Sequence, residues 1–354
     1  MNARSMVRMT SAAGIIVSVF YLLAALSILL PVEGDFAGHA NLMLLGSLIL
    51  FPYSVAVAYV ASVARNPWPS LLPISVGAVL LYPTPILADG RLQAPVTVLV
   101  ALAIAGFLGA ASSLMVGPGR KGAVRLSLYL VGITMLGLAL ASIVEAYAES
   151  SIFTETLVLI LAFPVPLIYS VTVNSLPSTF SDKPSTAASV LSVTLSIAAS
   201  VLVGLGYTRP GFYLAAASLI LYLYAARFHR LGAYWRRVSS MPRTPARAGL
   251  EYFIQGHVAV IIVTAIALAE LLAYPSHCSV ICVIHGLALG FASMHVWIHG
   301  PMMVPVILGM RHGRRFNPLP YITLLAAVAV YPLSHPLALV LYVVSLVLDA
   351  FVFI

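Results

Sequence analysis

The chain opens Met1-Asn-Ala-Arg4-Ser-Met-Val-Arg8 and then runs from Thr10 to Pro31 without a charged residue. A secretory signal peptide begins this way too, but the apolar run is about as long as the ~20 residues that carry a helix across a bilayer. It reads as an uncleaved first span with two arginines at its start. The pattern then repeats along the chain, with apolar stretches separated by short charged connections. Spans are expected at 10–31, 38–64, 69–88, 93–117, 123–147, 152–176, 185–206, 210–229, 248–274, 276–300, 318–334 and 336–354.

Composition agrees with that reading. Of 354 residues 61% are hydrophobic and 8% charged, against roughly 25% charged in soluble domains. So few charges could not cover a water-soluble fold of this size, and the lipid bilayer is the implied partner. Net charge is +8 and the sequence pI about 9.6. The basic residues sit between apolar stretches, which excludes nucleic acid as the partner. Two cysteines are too few for a disulfide framework. Helices are the default in lipid, because backbone polar groups must be satisfied within the segment. The continuous apolarity also lacks the alternation of a membrane barrel.

The distribution of charge tests the span count. With the N-terminus inside, the inner segments hold 16 of the 18 basic residues; only Arg91 and Arg209 fall outside. The outer segments carry Glu33, Asp35, Asp89, Glu145, Glu149 and Glu155 instead. This is the positive-inside bias, and it never inverts along the chain. The expectation is an all-α polytopic transmembrane helix bundle of about twelve spans, with both termini cytoplasmic. It forms a single integral membrane domain, 1–354, in the plasma membrane. The longest inner loop, from about Arg230 to Arg247, contains Arg236, Arg237 and Arg243 and reads as topogenic and lipid-facing. No internal repeat is evident, and the loop divides the spans eight and four, whereas inverted-repeat transporters show matched halves.

Nine histidines are the chemical signal in so apolar a chain. His229, His312 and His335 fall in loops or at helix ends and are expected to be solvated. The other six are His39, His257, His277, His285, His295 and His299. On a helical wheel at about 100° per residue with His285 at zero, Cys278 falls near +20° and Cys282 near +60°. His277 and His295 fall near −80° and His299 near −40°, so the tenth span carries one polar stripe about 140° wide. Lipid would reject such a stripe, so it should face the bundle interior. Gly286 and Gly290 keep the nearby surface small. Depth, at ~1.5 Å per residue, separates an outer group of His39, His277 and His285 from an inner group of His257, His295 and His299. His257 and His295 are expected at one level, across a short connection at Tyr274 to Ser276.

Imidazole suits iron and copper, and haem in membrane bundles is commonly held by His on two helices. A single His is better explained by a hydrogen bond in a polar helix interface, whereas six in two layers favour haem or metal. Cys278, Cys282 and His277 could hold a soft ion such as copper. Two small apolar cysteines are the simpler reading. A disulfide between them is not expected, because both side chains leave one helix a full turn apart. Glu251, Glu270 and Asp349 lie in or near spans, as proton carriers or as interface residues.

Several stretches resemble a known family. Gly38-His39-Ala-Asn41-Leu-Met43-Leu-Leu-Gly46 is similar to the WHAHEMLFGF motif of the NnrS family, with Asn41 at its second His and Gly38 at its Trp. Leu176-Pro177 after Val173-Asn174 loosely resembles its GRViPAFTRN stretch without either Arg. Gln255-Gly-His257-Val258 falls where the family has HLGY. Ile284-His285-Gly-Leu-Ala-Leu-Gly290 resembles HALTVGAVG, and Gly309-Met-Arg-His312-Gly-Arg314 resembles GHTGR. NnrS proteins have about twelve spans, bind haem and copper and act in nitric-oxide metabolism. The resemblance implies His39, His257 and His285 as functional positions. There is a distant similarity to haem–copper oxidase subunit one, whose low-spin haem ligands lie in spans two and ten, like His39 and His285. Spans six and seven here lack the His that its copper needs, so the chain is no conventional oxygen reductase.

The leading expectation is a membrane protein holding haem b and copper, in nitrogen-oxide response or in respiratory electron transfer with quinol or other respiratory subunits. A transporter or channel is the alternative, with helices broken at Pro83, Pro85, Pro164, Pro166, Pro301 or Pro305. An anchor subunit of a respiratory complex with structural histidines is a third. Whether the protein is an enzyme is left open by the sequence.

Overall fold

A computed structural model describes residues 3–28, 36–63, 96–115, 122–308 and 316–350. The span expected at 69–88, the loop acids Glu33, Asp35 and Asp89, and the Gly309–Arg314 motif lie outside the described residues. Every regular element among the described residues is helical. Among the described residues eight helical stretches are long and apolar enough to cross a membrane by length and composition. The helices group into two compact units, Met1–Ala226 and Arg227–Ile354. The boundary falls at the start of the arginine-rich loop.

The first unit contains α1 (Ala3–Ile28), α2 (Phe36–Asn41), α3 (Leu50–Val63), α4 (Val96–Met115), α5 (Ala123–Tyr147), α6 (Ile152–Ala162), α7 (Pro164–Thr179), α8 (Thr186–Gly204) and α9 (Thr208–Ala225). Between α2 and α3 the chain winds as a π-helix, Leu42–Ile49. The span expected at 152–176 is α6 and α7 in succession, restarted at Pro164, where the missing N–H costs nothing at a helix start. Small polar residues join these helices. Ser196 and Ser200 on α8 donate to Leu161 O and Val158 O on α6, at 2.7 and 2.8 Å. Ser127 on α5 donates to Ser170 O on α7 at 2.6 Å. Lipid tails are as apolar as leucine, so such bonds and close packing do the work of association inside a bilayer. The outward faces keep large apolar side chains such as Phe20 and Leu140 exposed.

The second unit contains α10 (Leu231–Ser239), α11 (Pro245–Ala273), α12 (Val280–His285), α13 (Ser293–Leu308), α14 (Leu319–Val330) and α15 (His335–Ala350). A second π-helix, Gly286–Ala292, joins α12 to α13. Helix starts are capped locally: Thr244 accepts from Arg247 N, and Ser279 accepts from Cys282 N. Gly256 lets α11 approach closely, since a Cβ there would collide with Ile298 on α13 and Tyr321 on α14. A polar knot ties the remaining helices. Trp297 donates to Ser345 Oγ at 2.6 Å, Ser345 donates to Pro320 O at 2.8 Å, and Tyr252 donates to Trp297 O at 3.0 Å. Asp349 is buried within this knot, 3.4 Å from the Tyr252 hydroxyl.

Candidate functional site

The second unit brings three of the expected histidines together. His257 on α11 and His295 and His299 on α13 form one cluster, with ring centres 5.7 Å apart for His257 and His299 and 6.2 Å for His295 and His299. Phe253 packs edge-on against both His257 and His299, at 4.3 and 5.7 Å. Phe228 flanks His257 and Phe291 flanks His295. His257 and His295 are buried.

The helices decide which ring nitrogen is presented. His257 Nδ1 lies 2.7 Å from Phe253 O and His295 Nδ1 lies 2.8 Å from Phe291 O, each one turn back along its own helix. Nδ1 is therefore the donor and Nε2 carries the lone pair, as in metal-binding histidines anchored through their second nitrogen. His257 Nε2 and His299 Nε2 are buried with no hydrogen-bond partner among the described residues. Orphaned buried polar atoms are rare because each costs free energy.

The ring spacing fits a shared ion. At the usual ~2.0 Å between metal and imidazole nitrogen, a ring centre lies about 3 Å from the ion, so two ligating rings lie about 5–6.5 Å apart. Among the described residues no three His, Cys, Asp or Glu side chains converge closely enough to form a metal site. The candidate is thus the pair His257 and His299, with His295 alongside. Phe253 packs edge-on against both His257 and His299 and crowds the space beside the pair.

The ring contact made by His257 is with His299, with 5.7 Å between ring centres. The connection is longer than expected, Tyr274 to Ser279, because α11 ends at Ala273 and α12 begins at Val280. The π-segment Gly286–Ala292 breaks the single stripe expected along this span. A π-turn holds one residue more than an α-turn, so residues beyond it are rotated by roughly 100° from an unbroken helix. His285 accordingly has different company from His295 and His299.

That company is Tyr331, whose ring stacks on His285 at 4.3 Å and whose hydroxyl is 2.9 Å from His285 Nδ1. Nδ1 also lies 2.8 Å from Ile281 O. His335 stacks on the other side of Tyr331 at 4.6 Å and is exposed. The three rings form a ladder from the surface to a half-buried histidine. Nearby, Glu270 on α11 presses its carboxylate against Gly286, where any Cβ would collide with Oε2. That oxygen is buried without a hydrogen-bond partner among the described residues. Tyr331 had no signal in the sequence beyond being an aromatic near the end of a span.

The remaining candidates are dispersed. His39 is in the first unit, half-buried, with Nδ1 3.1 Å from Ala25 O, and precedes the π-helix Leu42–Ile49 as His285 precedes the other. His277 is exposed. Cys278 and Cys282 are joined in a disulfide, contrary to expectation, with Cα atoms 5.8 Å apart. The reason is that Cys278 precedes the helix, which Ser279 caps, so the two side chains do not leave one regular helix. Bonded to each other, these sulfurs leave no thiolate for a soft ion. No protein-family model matches the chain and no curated protein is significantly similar to it, so its function is read from this site.

Proposed function

We propose that the chain is a plasma-membrane protein of about twelve spans, both termini cytoplasmic, whose second unit holds a redox-active transition-metal ion between His257 and His299. The observation that carries this reading is the pair of buried, unpartnered Nε2 atoms on rings 5.7 Å apart. Imidazole pairs suit copper, which would supply one-electron chemistry away from water. Intramembrane ionisable residues mark functional sites by default, because their burial in lipid is expensive. Haem b would be bound elsewhere, through Nε2 of His39 or His285. Both precede π-turns, a helix irregularity frequent at functional sites. With the NnrS-like motifs this supports a role in nitrogen-oxide response or respiratory electron transfer.

Metal analysis and an absorption spectrum of the purified protein test the reading. A copper complement that His257→Ala and His299→Ala abolish is the expected result, with a Soret band if haem is present. Unchanged metal content in both variants overturns the inner site. Topology is tested by cytoplasmic reporter fusions, active after Lys121 or Arg243 and inactive after Glu149. Activity at Glu149 overturns the orientation.

A transporter is the second reading, favoured by one observation: two candidate spans are interrupted by π-segments, one with the buried Glu270 carboxylate against it. A protein with neither metal nor haem, and with substrate flux lost in Glu270→Gln, would establish it instead.

A further inference from the structure

The turn between α11 and α12 carries a disulfide that the proposed metal site does not use. Cys278 and Cys282 are bonded to each other, four positions apart in the chain.

The bridge adds little to folding. Closing so short a loop removes less freedom from the unfolded chain than joining distant segments does. The turn it spans is already closed by other means. Ser279 Oγ caps α12 by accepting from Cys282 N at 3.3 Å, and Val283 N donates to Ser279 O at 3.2 Å. Cys278 lies just before α12 and Cys282 in its first turn, so the bridge fastens no second helix. A bond that holds so little in place can open without loss of structure.

Its setting suits chemistry. His277, Ser279 and Ile281 are exposed, and Cys282 is half-buried, whereas Cys278 is buried. An attacking thiolate therefore reaches the Cys282 sulfur more readily, which makes Cys278 the leaving group. In the orientation proposed above this connection lies on the outer side, where disulfides form and persist.

We propose that Cys278–Cys282 is a thiol–disulfide exchange site for a dithiol electron donor on the outer face, and not a structural staple. A thiolate of the donor attacks the Cys282 sulfur. The bond between Cys278 and Cys282 breaks as the mixed disulfide forms, and Cys278 leaves as a thiolate that takes up a proton. The donor's second thiolate then attacks the donor sulfur of the mixed disulfide and releases Cys282, which is protonated in turn. The donor ends as a disulfide and the pair as two thiols, two electrons and two protons having passed between them.

Two measurements on the detergent-purified full chain test this, and neither depends on its orientation. In one, dithiothreitol is added under native conditions, free thiols are counted by alkylation and intact mass, and melting is followed before and after. Both cysteines are expected to label in the folded protein, with melting lowered by less than about 4 °C, the least that loss of a structural bridge would cost. A larger fall, or reduction only in denaturant, overturns the proposal. In the other, single variants are exposed to oxidised glutathione. Cys278→Ser, which leaves Cys282, is expected to form the mixed disulfide roughly tenfold faster than Cys282→Ser, which leaves the buried Cys278. Equal rates or the reverse order overturn it.

Discussion

The two ends of the second unit handle their histidines in opposite ways. At one end His257, His295 and His299 pack with Phe228, Phe253 and Phe291, and two ring nitrogens have no partner among the described residues. At the other, His285 is half-buried, stacked on Tyr331 and hydrogen-bonded to its hydroxyl, within a ladder that ends at exposed His335. Burial without a partner is costly unless something supplies the missing interaction. On the proposed reading a metal ion supplies that interaction in the enclosed cluster, whereas His285 finds a partner within the chain and the atom beside it with no partner among the described residues is Glu270 Oε2. The difference teaches that a count of intramembrane histidines says less about function than where each ring's second nitrogen points.

The largest effect should come from the enclosed end. His257→Ala should empty the inner site, a loss beyond the ~10–100-fold typical of removing an outer partner of a metal ligand. His285→Ala should leave that inner metal in place. Metal analysis of the two variants side by side would break the comparison if they lost metal equally. Next, Gly286→Ala should destabilise the laddered end by about 1–3 kcal/mol, because its Cβ must displace the Glu270 carboxylate. Thermal melts should show much of that loss recovered in the double variant with Glu270→Ala; simple additivity would mean that the clash relaxes elsewhere. Tyr331→Phe should cost about 1 kcal/mol, the usual net value of one hydrogen bond. Smallest is His335→Ala, expected within about 0.5 kcal/mol, as for most exposed positions. A larger loss at His335 than at Tyr331 would make the ladder's outer rung its structural anchor.

Hydropathy made the helices legible. The span expected at 123–147 coincides with α5, Ala123–Tyr147, and that at 185–206 lies over α8, Thr186–Gly204. Long apolar runs have one solution in lipid, and no tertiary contact overrides it. The inner histidines were legible because only Tyr274 to Ser279 separate α11 from the span formed by α12, the π-segment and α13, which returns His295 and His299 to His257. What could not be read was winding. Gly286-Leu-Ala-Leu-Gly290 carries no mark that distinguishes a π-segment from an α-helix, so a wheel of uniform period placed His285 and His295 on one stripe. The disulfide was hidden for a related reason: the sequence suggested one helix through Cys278, but the helix starts at Val280.

The anchoring of His257, His285 and His295 through Nδ1 to a carbonyl one turn back has a consequence for biogenesis. That carbonyl is in reach only when the surrounding turn is wound. In a nascent chain either ring nitrogen is open to any passing ion, and the chain has no means of choosing among them. Once the segment is helical, one nitrogen is occupied and the other is held in a fixed direction. On the proposed reading the inner site would therefore take up its ion only after these turns are wound and the spans have met.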